Sequence, residues 1–227
     1  MIPFRLYTYQ TPNGHKVSIM LEEVGLPYDV QVVDIETGEQ TSPTFLELNP
    51  NNKIPVLVDR ERDCTVFESG AILHYLAERS GRLSPVTDVD RTKVLAWSLF
   101  QVAHIGPTLG QLWNYKIFAP EKIPYVIGRF EAEAARLYRV LDGELAMRPY
   151  IAGETYGIAD IMTWPWIHAG LANLGLKLDA TPALCRWYED VGSRPAVQRG
   201  LLVPQLPEND NDSDLPTQLQ RQRHPAM

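Results

Sequence analysis

The sequence predicts two consecutive domains of different type, an α/β domain at the N-terminal end and an all-helical domain after it. Strand-like and helical segments alternate as far as Pro85, whereas beyond it apolar residues recur with the 3.6-residue period of helices. The length of 227 residues is enough for two domains with sizeable cores. We expect the first domain over residues 1–84, the second over 88–205 and a flexible polar tail over 206–227.

The first domain is predicted to run in the order β-α-β and then β-β-α. The predicted elements are a strand at 4–9, a helix from Val17 to Gly25, a strand at 28–33, a hairpin of strands 56–58 and 65–67, and a helix from Glu68 to Ser80. Glycine at position 25 suits the left-handed end of a helix.

Apolar residues at helical spacing mark three helices of the second domain. The three sets are Leu137, Val140, Leu141 and Leu145; Ile158, Ile161, Met162 and Ile167; and Leu184, Trp187, Tyr188 and Val191. Pro165 is expected to kink the second helix. The stretch between Lys93 and Lys116 carries no formal charge, but polar residues interrupt it, so it predicts a buried helix and not a membrane span.

Composition and charge argue against several classes of function. A formal net charge of -7 disfavours nucleic acid as the main partner, since phosphate binding relies on clustered basic residues. Cys64 and Cys185 fit no metal-binding or Cys-x-x-Cys spacing, and the N-terminal residues show no export signal. We expect a cytoplasmic protein with no metal site and no membrane partner.

The segment Thr11-Pro12-Asn13-Gly14-His15 lies where the first strand ends and the first helix begins. Thr followed by Pro suits the N-cap and the first position of a helix. A helix start presents free N–H groups and the positive end of the helix dipole, so it favours a thiolate over a thiol. Thr11 and Asn13 are candidate donors to such a sulfur; the alternative is that both only cap the helix and shape the turn.

A second segment, Asn51-Asn52-Lys53-Ile54-Pro55, leads through an X-Pro bond into a strand. If the bond before Pro55 is cis, the N–H and C=O of Ile54 are free to pair with an extended peptide as an added strand. From the sequence alone the trans form is favoured.

A third segment, Phe67-Glu68-Ser69-Gly70-Ala71, is a strand-to-helix junction whose N–H groups suit a carboxylate. Ser69 adds a hydroxyl donor, and Glu68 is able to accept from an ammonium group. The alternative is that Ser69 is an ordinary first-turn residue.

Together the three segments predict a ligand with a thiol, a peptide bond and a free amino acid end, which is the layout of glutathione. Through these segments the sequence resembles the glutathione transferase superfamily, and Thr-Pro-Asn-Gly-His-Lys, Asn-Asn-Lys-Ile-Pro and Glu-Ser-Gly-Ala-Ile are similar to its nu class. The likeness runs from Phe4 to Leu202. It continues through Gly106-Pro107, Ile123-Pro124-Tyr125, Arg136-Leu137-Tyr138, Tyr156-Gly157-Ile158-Ala159-Asp160-Ile161 and Trp164-Pro165-Trp166.

The resemblance implies a fold and a set of ligand contacts. The fold is a thioredoxin-like first domain, β-α-β-α-β-β-α, followed by an all-α domain. The bond before Pro55 would be cis, Ile54 would pair with the cysteinyl backbone, and Thr11 and Asn13 would lie beside the sulfur. The implied glutathione contacts are Gln40, Lys53, Ile54, Glu68, Ser69 and Arg129, of which Glu68 and Ser69 hold the γ-glutamyl end.

The resemblance also implies an activity and an assembly. The activity is glutathione-dependent disulfide-bond reduction, and the assembly is a two-fold homodimer that joins the first domain of one subunit to the second domain of the other. No cysteine lies near Thr11, so glutathione supplies the sulfur and Thr11 and Asn13 are the catalytic candidates. Two alternatives stay open: a conjugating transferase in which Tyr7 donates to the thiolate, and a regulatory protein that binds glutathione without turnover.

Three further features are predicted to be structural. His15, in the first helical turn, is expected to face solvent. The Trp164-Pro165-Trp166 cluster is expected in the core. Lys16, Glu22 and Glu23 are expected to form a solvated helix face.

Overall fold

The computed structural model describes residues 2–206. Over these residues the chain runs β-α-β-α-β-β-α and then through helical segments alone. The flexible tail expected at 206–227 lies outside the described residues, except for its first residue.

Four strands form a mixed sheet at the N-terminal end. They are β1 (Phe4–Thr8), β2 (Tyr28–Val32), β3 (Val56–Asp59) and β4 (Cys64–Phe67), in the order β2-β1-β3-β4. β1 is parallel to β2 and antiparallel to β3, and β3 is antiparallel to β4. The four strand predictions are confirmed to within one residue at each end.

Three helices accompany the sheet, namely α1 (Pro12–Val24), α2 (Pro43–Leu48) and α3 (Ser69–Ser80), with a short 3₁₀ turn (Glu39–Thr41) before α2. Side chains alternate along β1, so Phe4 and Leu6 are buried in the core shared with α1 and α3. Tyr7 lies on the other face and packs edge-on against Phe45 of α2, with the ring centroids 6.5 Å apart. The two faces of the sheet therefore carry a large and a small core.

The helical region consists of six helices and two π-helical turns within residues 2–206. They are α4 (Asp88–Phe100), α5 (Gly106–Trp113), α6 (Pro124–Leu145), α7 (Ile158–Leu174), α8 (Pro182–Gly192) and α9 (Pro195–Leu201), with π-helical turns at Gln101–Ile105 and Asn114–Phe118. The three helices predicted from apolar spacing are confirmed as α6, α7 and α8. Pro165 lies inside α7 without ending it. Among the described helices, none has the length and apolar character that crossing a membrane requires.

The last described helix, α9, returns to the first domain and packs on α1. Gly200 lies against Ile19 so closely that a Cβ atom at position 200 would be 2.6 Å from the Ile19 Cα. The Ser18 hydroxyl donates to the Gly200 carbonyl at 2.7 Å. α7 also contacts α1, so this helix is surrounded by elements from both ends of the chain.

The solvated face predicted on α1 is wrong. Lys16 is 1% exposed, and the side chains of Glu22 and Glu23 are mostly covered and pair with Arg199 and Arg194 of the returning segment. The charged side chains are covered because their partners lie far along the chain, where a local pattern does not show them.

The uncharged stretch between Lys93 and Lys116 is only partly buried, contrary to the expectation of a buried helix. Its second half contributes buried residues such as Ile105 and Leu112, but Leu95, Leu99 and Val102 are exposed. Their spacing places them on one side of the helical segment. α4 therefore presents an apolar strip to solvent.

Candidate functional site

The start of α1 has the geometry expected of a capped helix. Thr11 is extended, with φ -137°, and its hydroxyl oxygen accepts from the Gly14 N–H at 3.1 Å. The helix continues from Pro12 at its first position. Gly14 is required there, because a Cβ atom would be 2.4 Å from the Tyr9 carbonyl oxygen. No hydrogen bond within residues 2–206 occupies the backbone N–H of Asn13, so one donor of the helix start stays free.

The three predicted binding segments meet in one cleft of about 290 Å³. It is lined by Asn13, Asn49, Asn51, Lys53, Ile54, Pro55, Glu68 and Ser69. The cleft thus combines the start of α1, the loop before β3 and the start of α3. It gathers amide, ammonium, carboxylate and hydroxyl groups around an exposed stretch of backbone.

The loop before β3 is shaped by a buried asparagine. Asn49 is 1% exposed, its amide donates to the Lys53 carbonyl at 2.7 Å, and its side-chain oxygen accepts from the Asn51 N–H at 2.9 Å. The Ile54–Pro55 bond is cis, as the resemblance implies. Within the described part of the chain, the N–H and C=O of Ile54 make no hydrogen bond, which leaves both available to a ligand.

The start of α3 forms the opposite wall. Glu68 has φ 68° and ψ 115°, an uncommon conformation for a residue with a side chain. Residues in such conformations cluster at functional sites. Ser69 follows as the first residue of α3 and is 7% exposed. Its hydroxyl oxygen accepts from Lys16, which leaves the hydroxyl hydrogen for another partner.

Lys16 is a buried cation directly behind this wall. Its Nζ donates to Ser69 Oγ at 3.3 Å and to Gln101 Oε1 at 2.7 Å. Burial lowers the pKa of Lys16 to about 7, and the charge of Glu68 opposes that shift. Sequence analysis assigned Lys16 to the surface, and no signal in its neighbourhood indicated a bond to position 101.

Asn13 is held by a residue of the helical region. The indole Nε1 of Trp166 donates to Asn13 Oδ1 at 2.9 Å. Trp164 and Trp166 are 2% and 9% exposed, so the prediction that this cluster belongs to the core is confirmed. Trp166 is thus a core residue that contacts a lining residue of the cleft, Asn13.

Three of the predicted site residues do not line the cleft. Thr11 caps α1 one residue ahead of Pro12, Gln40 lies in the 3₁₀ turn before α2, and Arg129 lies on α6 with its side chain 61% exposed and 3.8 Å from Glu133. Their contacts with glutathione stay predictions.

His15 does not face solvent, contrary to expectation. Its Nε2 is buried and has no hydrogen-bond partner in residues 2–206. Burial, with a smaller contribution from His168, lowers the pKa of His15 to about 4. The imidazole is therefore neutral at physiological pH.

Comparison with known families agrees with this fold. The sequence profile for the glutathione S-transferase N-terminal domain matches residues 11–79, and that for the C-terminal domain matches residues 129–195. Together with the relatives below, these matches show that the chain belongs to the glutathione S-transferase family. The predicted family and the predicted thioredoxin-like and all-α organisation are confirmed.

Two relatives from Escherichia coli (strain K12) are disulfide-bond oxidoreductases by name. YfcG is 43% identical, over 92% of this chain and 99% of its own. YghU is 42% identical, over 97% of this chain and 84% of its own.

Similar solved structures include two bacterial transferases with a bound ligand. A glutathione transferase from Burkholderia graminis, with two glutathione molecules per subunit, is 40% identical with a TM-score of 0.84, covering 90% of this chain and 89% of that one. A glutathione transferase from Pseudomonas putida, with one glutathione disulfide per subunit, is 38% identical with a TM-score of 0.86, covering 89% and 92%.

Proposed function

We propose that this protein is a glutathione-dependent disulfide-bond reductase, a thiol transferase that uses the thiolate of bound glutathione. The observation that carries the proposal is the cleft in which Asn13, Lys53, Ile54, Glu68 and Ser69 lie together. The names of the two Escherichia coli relatives and the ligands in the related structures support the same function.

Each wall of the cleft suits one part of glutathione. The free N–H and C=O of Ile54 pair with the cysteinyl residue as an added strand. Ser69 donates its hydroxyl hydrogen to the α-carboxylate of the γ-glutamyl residue, and Glu68 accepts from its ammonium group. Lys53, with Gln40 and Arg129, contacts the remaining polar ends; for Gln40 and Arg129 this rests on the family resemblance.

The sulfur lies at the start of α1, where it is kept ionised. The Thr11 hydroxyl, the Asn13 amide and the helix dipole favour a thiolate over a thiol. Lowering the pKa of a thiol from about 8.5 by about 2 units needs about 2.7 kcal/mol, which a few charge-assisted donors supply.

Disulfide reduction then follows in two exchanges. The glutathione thiolate attacks one sulfur of the substrate disulfide; a mixed disulfide forms as the substrate S–S bond breaks, and the departing thiolate takes up a proton. A second glutathione thiolate attacks the glutathione sulfur of the mixed disulfide and releases the other substrate thiol. Two glutathione molecules are oxidised to one glutathione disulfide for each substrate disulfide reduced.

The proposal is tested by calorimetry with reduced and oxidised glutathione and by turnover of a small disulfide. Thr11→Ala and Asn13→Ala are each expected to lower kcat/KM by about 10- to 100-fold, since each removes a donor to a charged sulfur. Ser69→Ala is expected to weaken glutathione binding instead. Absence of glutathione binding to the wild-type protein would refute the function as a whole.

The conjugating alternative depends on Tyr7. Tyr7 packs against Phe45 and does not line the cleft, whereas Asn13 does, and this supports a catalytic role for Asn13. The role of Thr11 rests on the family resemblance. Tyr7→Phe is therefore expected to retain disulfide reduction. Loss of both reduction and conjugation in Tyr7→Phe alone would favour the alternative, and binding with no turnover of any thiol or disulfide would favour a regulatory protein.

We further propose a two-fold homodimer of the kind implied by the resemblance. Its support is the exposed apolar strip of Leu95, Leu99 and Val102 in the second domain and the exposed Phe67 in the first. Leu99→Lys is expected to halve the mass measured by light scattering. Val140→Lys adds the same charge at an exposed apolar position of α6 and is expected to leave the mass unchanged.

Three finer assignments rest on the sequence and stay proposals. They are membership of the nu class, a cytoplasmic location, and the domain limits 1–84 and 88–205. Phylogenetic placement, cell fractionation and limited proteolysis test them in turn.

A further inference from the structure

Trp166 makes a hydrogen bond whose direction is fixed by chemistry. An indole Nε1–H is a donor only, so the atom that it contacts at 2.9 Å must be the oxygen of the Asn13 amide and not its nitrogen. The two residues are 153 positions apart, one in the helical domain and one at the start of α1. A core residue thereby determines which end of the Asn13 side chain faces the indole.

The indole itself has little freedom to move. It is 9% exposed and lies against two glycines of α5: Cβ atoms built at Gly106 and Gly110 would be 3.7 Å and 3.6 Å from the ring. The ring therefore lies beside the α5 backbone, and together with its burial this neighbour restricts the position of Nε1.

With its oxygen directed at Trp166, the Asn13 side chain has its Nδ2 group directed away from the indole. Asn13 also lines the cleft beside the start of α1. An amide free to rotate presents either a donor or an acceptor, and an acceptor repels a thiolate. An amide whose oxygen is held by the indole keeps its two N–H donors on the side away from Trp166.

We propose that Trp166 is a positioning residue for thiolate stabilisation: it holds the Asn13 carbonyl so that the amide N–H group donates to the glutathione sulfur. This inference rests on the proposed function. The inference links the helical domain to stabilisation of the thiolate. Trp166 then has a role in addition to packing in the core.

The test is Trp166→Phe, which removes the donor and keeps an aromatic ring. We expect a rise in the pKa of bound glutathione, followed by the ultraviolet absorbance of the thiolate, and a loss of about three- to tenfold in kcat/KM at neutral pH, as for one lost hydrogen bond. The KM for glutathione should stay within about twofold, because its binding groups are intact.

The chain offers a matched control on the same helix. The indole Nε1 of Trp164 donates to the Tyr188 backbone carbonyl at 2.8 Å and has no contact with Asn13. Trp164→Phe therefore removes a similar bond and is expected to leave the thiolate pKa unchanged. Equal shifts in both variants would overturn the inference, since they would indicate a general loosening of α7.

Coupling between the two residues gives a second measurement. In an Asn13→Ala background, Trp166→Phe should cause no further change in the thiolate pKa; additive effects would contradict the inference. Should Trp166→Phe fail to fold, Asn13→Asp retains an acceptor for the indole but replaces the donor group with a carboxylate oxygen. A thiolate pKa equal to wild type in Asn13→Asp would also overturn the inference.

These outcomes are separate from failure of the proposed function. If wild-type protein neither binds glutathione nor reduces disulfides, the function itself is refuted. If wild type is active and Trp166→Phe matches it in thiolate pKa and rate, only the positioning role is refuted.

Discussion

Helices α1 and α4 have similar N-terminal caps but differ in burial. Each has 13 residues and a threonine N-cap, and the hydroxyls of Thr11 and Thr87 both accept an N–H at 3.1 Å. α1 is enclosed by α3, α7 and α9, whereas Ser98 is the one buried residue of α4. Both helices carry charged residues, yet α1 is covered and α4 is open.

The comparison shows that charge along a single helix does not determine its burial. Lys16, Glu22 and Glu23 of α1 are covered because acceptors and arginines from distant segments contact them. Leu95 and Leu99 of α4 are open within one chain, and we assign their cover to a second copy. Burial is decided by partners that a local pattern does not contain.

The largest effect is expected where α9 covers α1. Gly200→Ala places a methyl group against the Ile19 backbone, so it should lower the free energy of unfolding by about 3 kcal/mol and Tm by about 6–12 °C. Urea and thermal unfolding measure both. Gly143→Ala on α6 is the control, because no atom lies within 4 Å of the new Cβ; it should stabilise by about 0.5–1 kcal/mol. Equal effects would show that α9 is not closely packed on α1.

The second effect is a pH dependence of stability that arises from Lys16, the buried lysine of α1. The pKa of Lys16 is about 7 in the folded protein against the ordinary 10.5, so between these values the unfolded chain holds a proton that the folded one lacks. Wild-type stability should therefore rise relative to Lys16→Met as pH increases through this window, by up to about 1.4 kcal/mol per pH unit.

Urea unfolding at several pH values without ligand measures this difference. Lys177→Met, at an exposed position, removes the same charge and provides the reference. A difference between wild type and Lys16→Met that stays level or falls as pH rises would mean that Lys16 keeps its proton in the folded protein through this window.

The smallest effect on stability is expected from removing one ion pair on each of the two helices. Arg194 binds Glu23 with two bonds, at 2.7 and 3.0 Å, and the Glu23 side chain is 9% exposed. Glu23→Gln should cost about 1–2 kcal/mol. Asp88→Asn on α4 breaks a pair with Arg91 whose side chains are 93% and 67% exposed, and should cost less than about 0.5 kcal/mol. Comparable losses in the two variants would remove the distinction between the helices.

Local chemistry was sufficient to predict the four strands and the helices α1, α3, α6, α7 and α8. Thr11-Pro12 begins α1 and Gly25 ends it with φ 68°, because capping and the left-handed conformation depend on a few adjacent residues. The hairpin of β3 and β4 follows equally from two short apolar runs around a polar turn. The return of α9 to α1 was not predicted, since nothing near Gly200 indicates Ile19.

The cleft was predicted in part for the same reason. Asn13, Ile54 and Ser69 lie at helix starts and a strand start, where backbone groups are free whatever the tertiary structure. Lys16 and Trp166 contact residues that are 85 and 153 positions away. Local patterns predicted only a surface position for Lys16 and a core position for Trp166. For Asn49 the sequence does contain a signal, because asparagine is common at the start of a turn and a turn-rich segment follows it.

The contact between Ser18 and Gly200 spans 182 positions, and this has a consequence for synthesis. As the polypeptide leaves the ribosome, the N-terminal sheet and α1 emerge long before the helix that shields Ile19. Nascent chains halted before position 195 should therefore expose the apolar surface around Ile19 and bind chaperones. Once the α9 segment has been synthesised, it covers that surface.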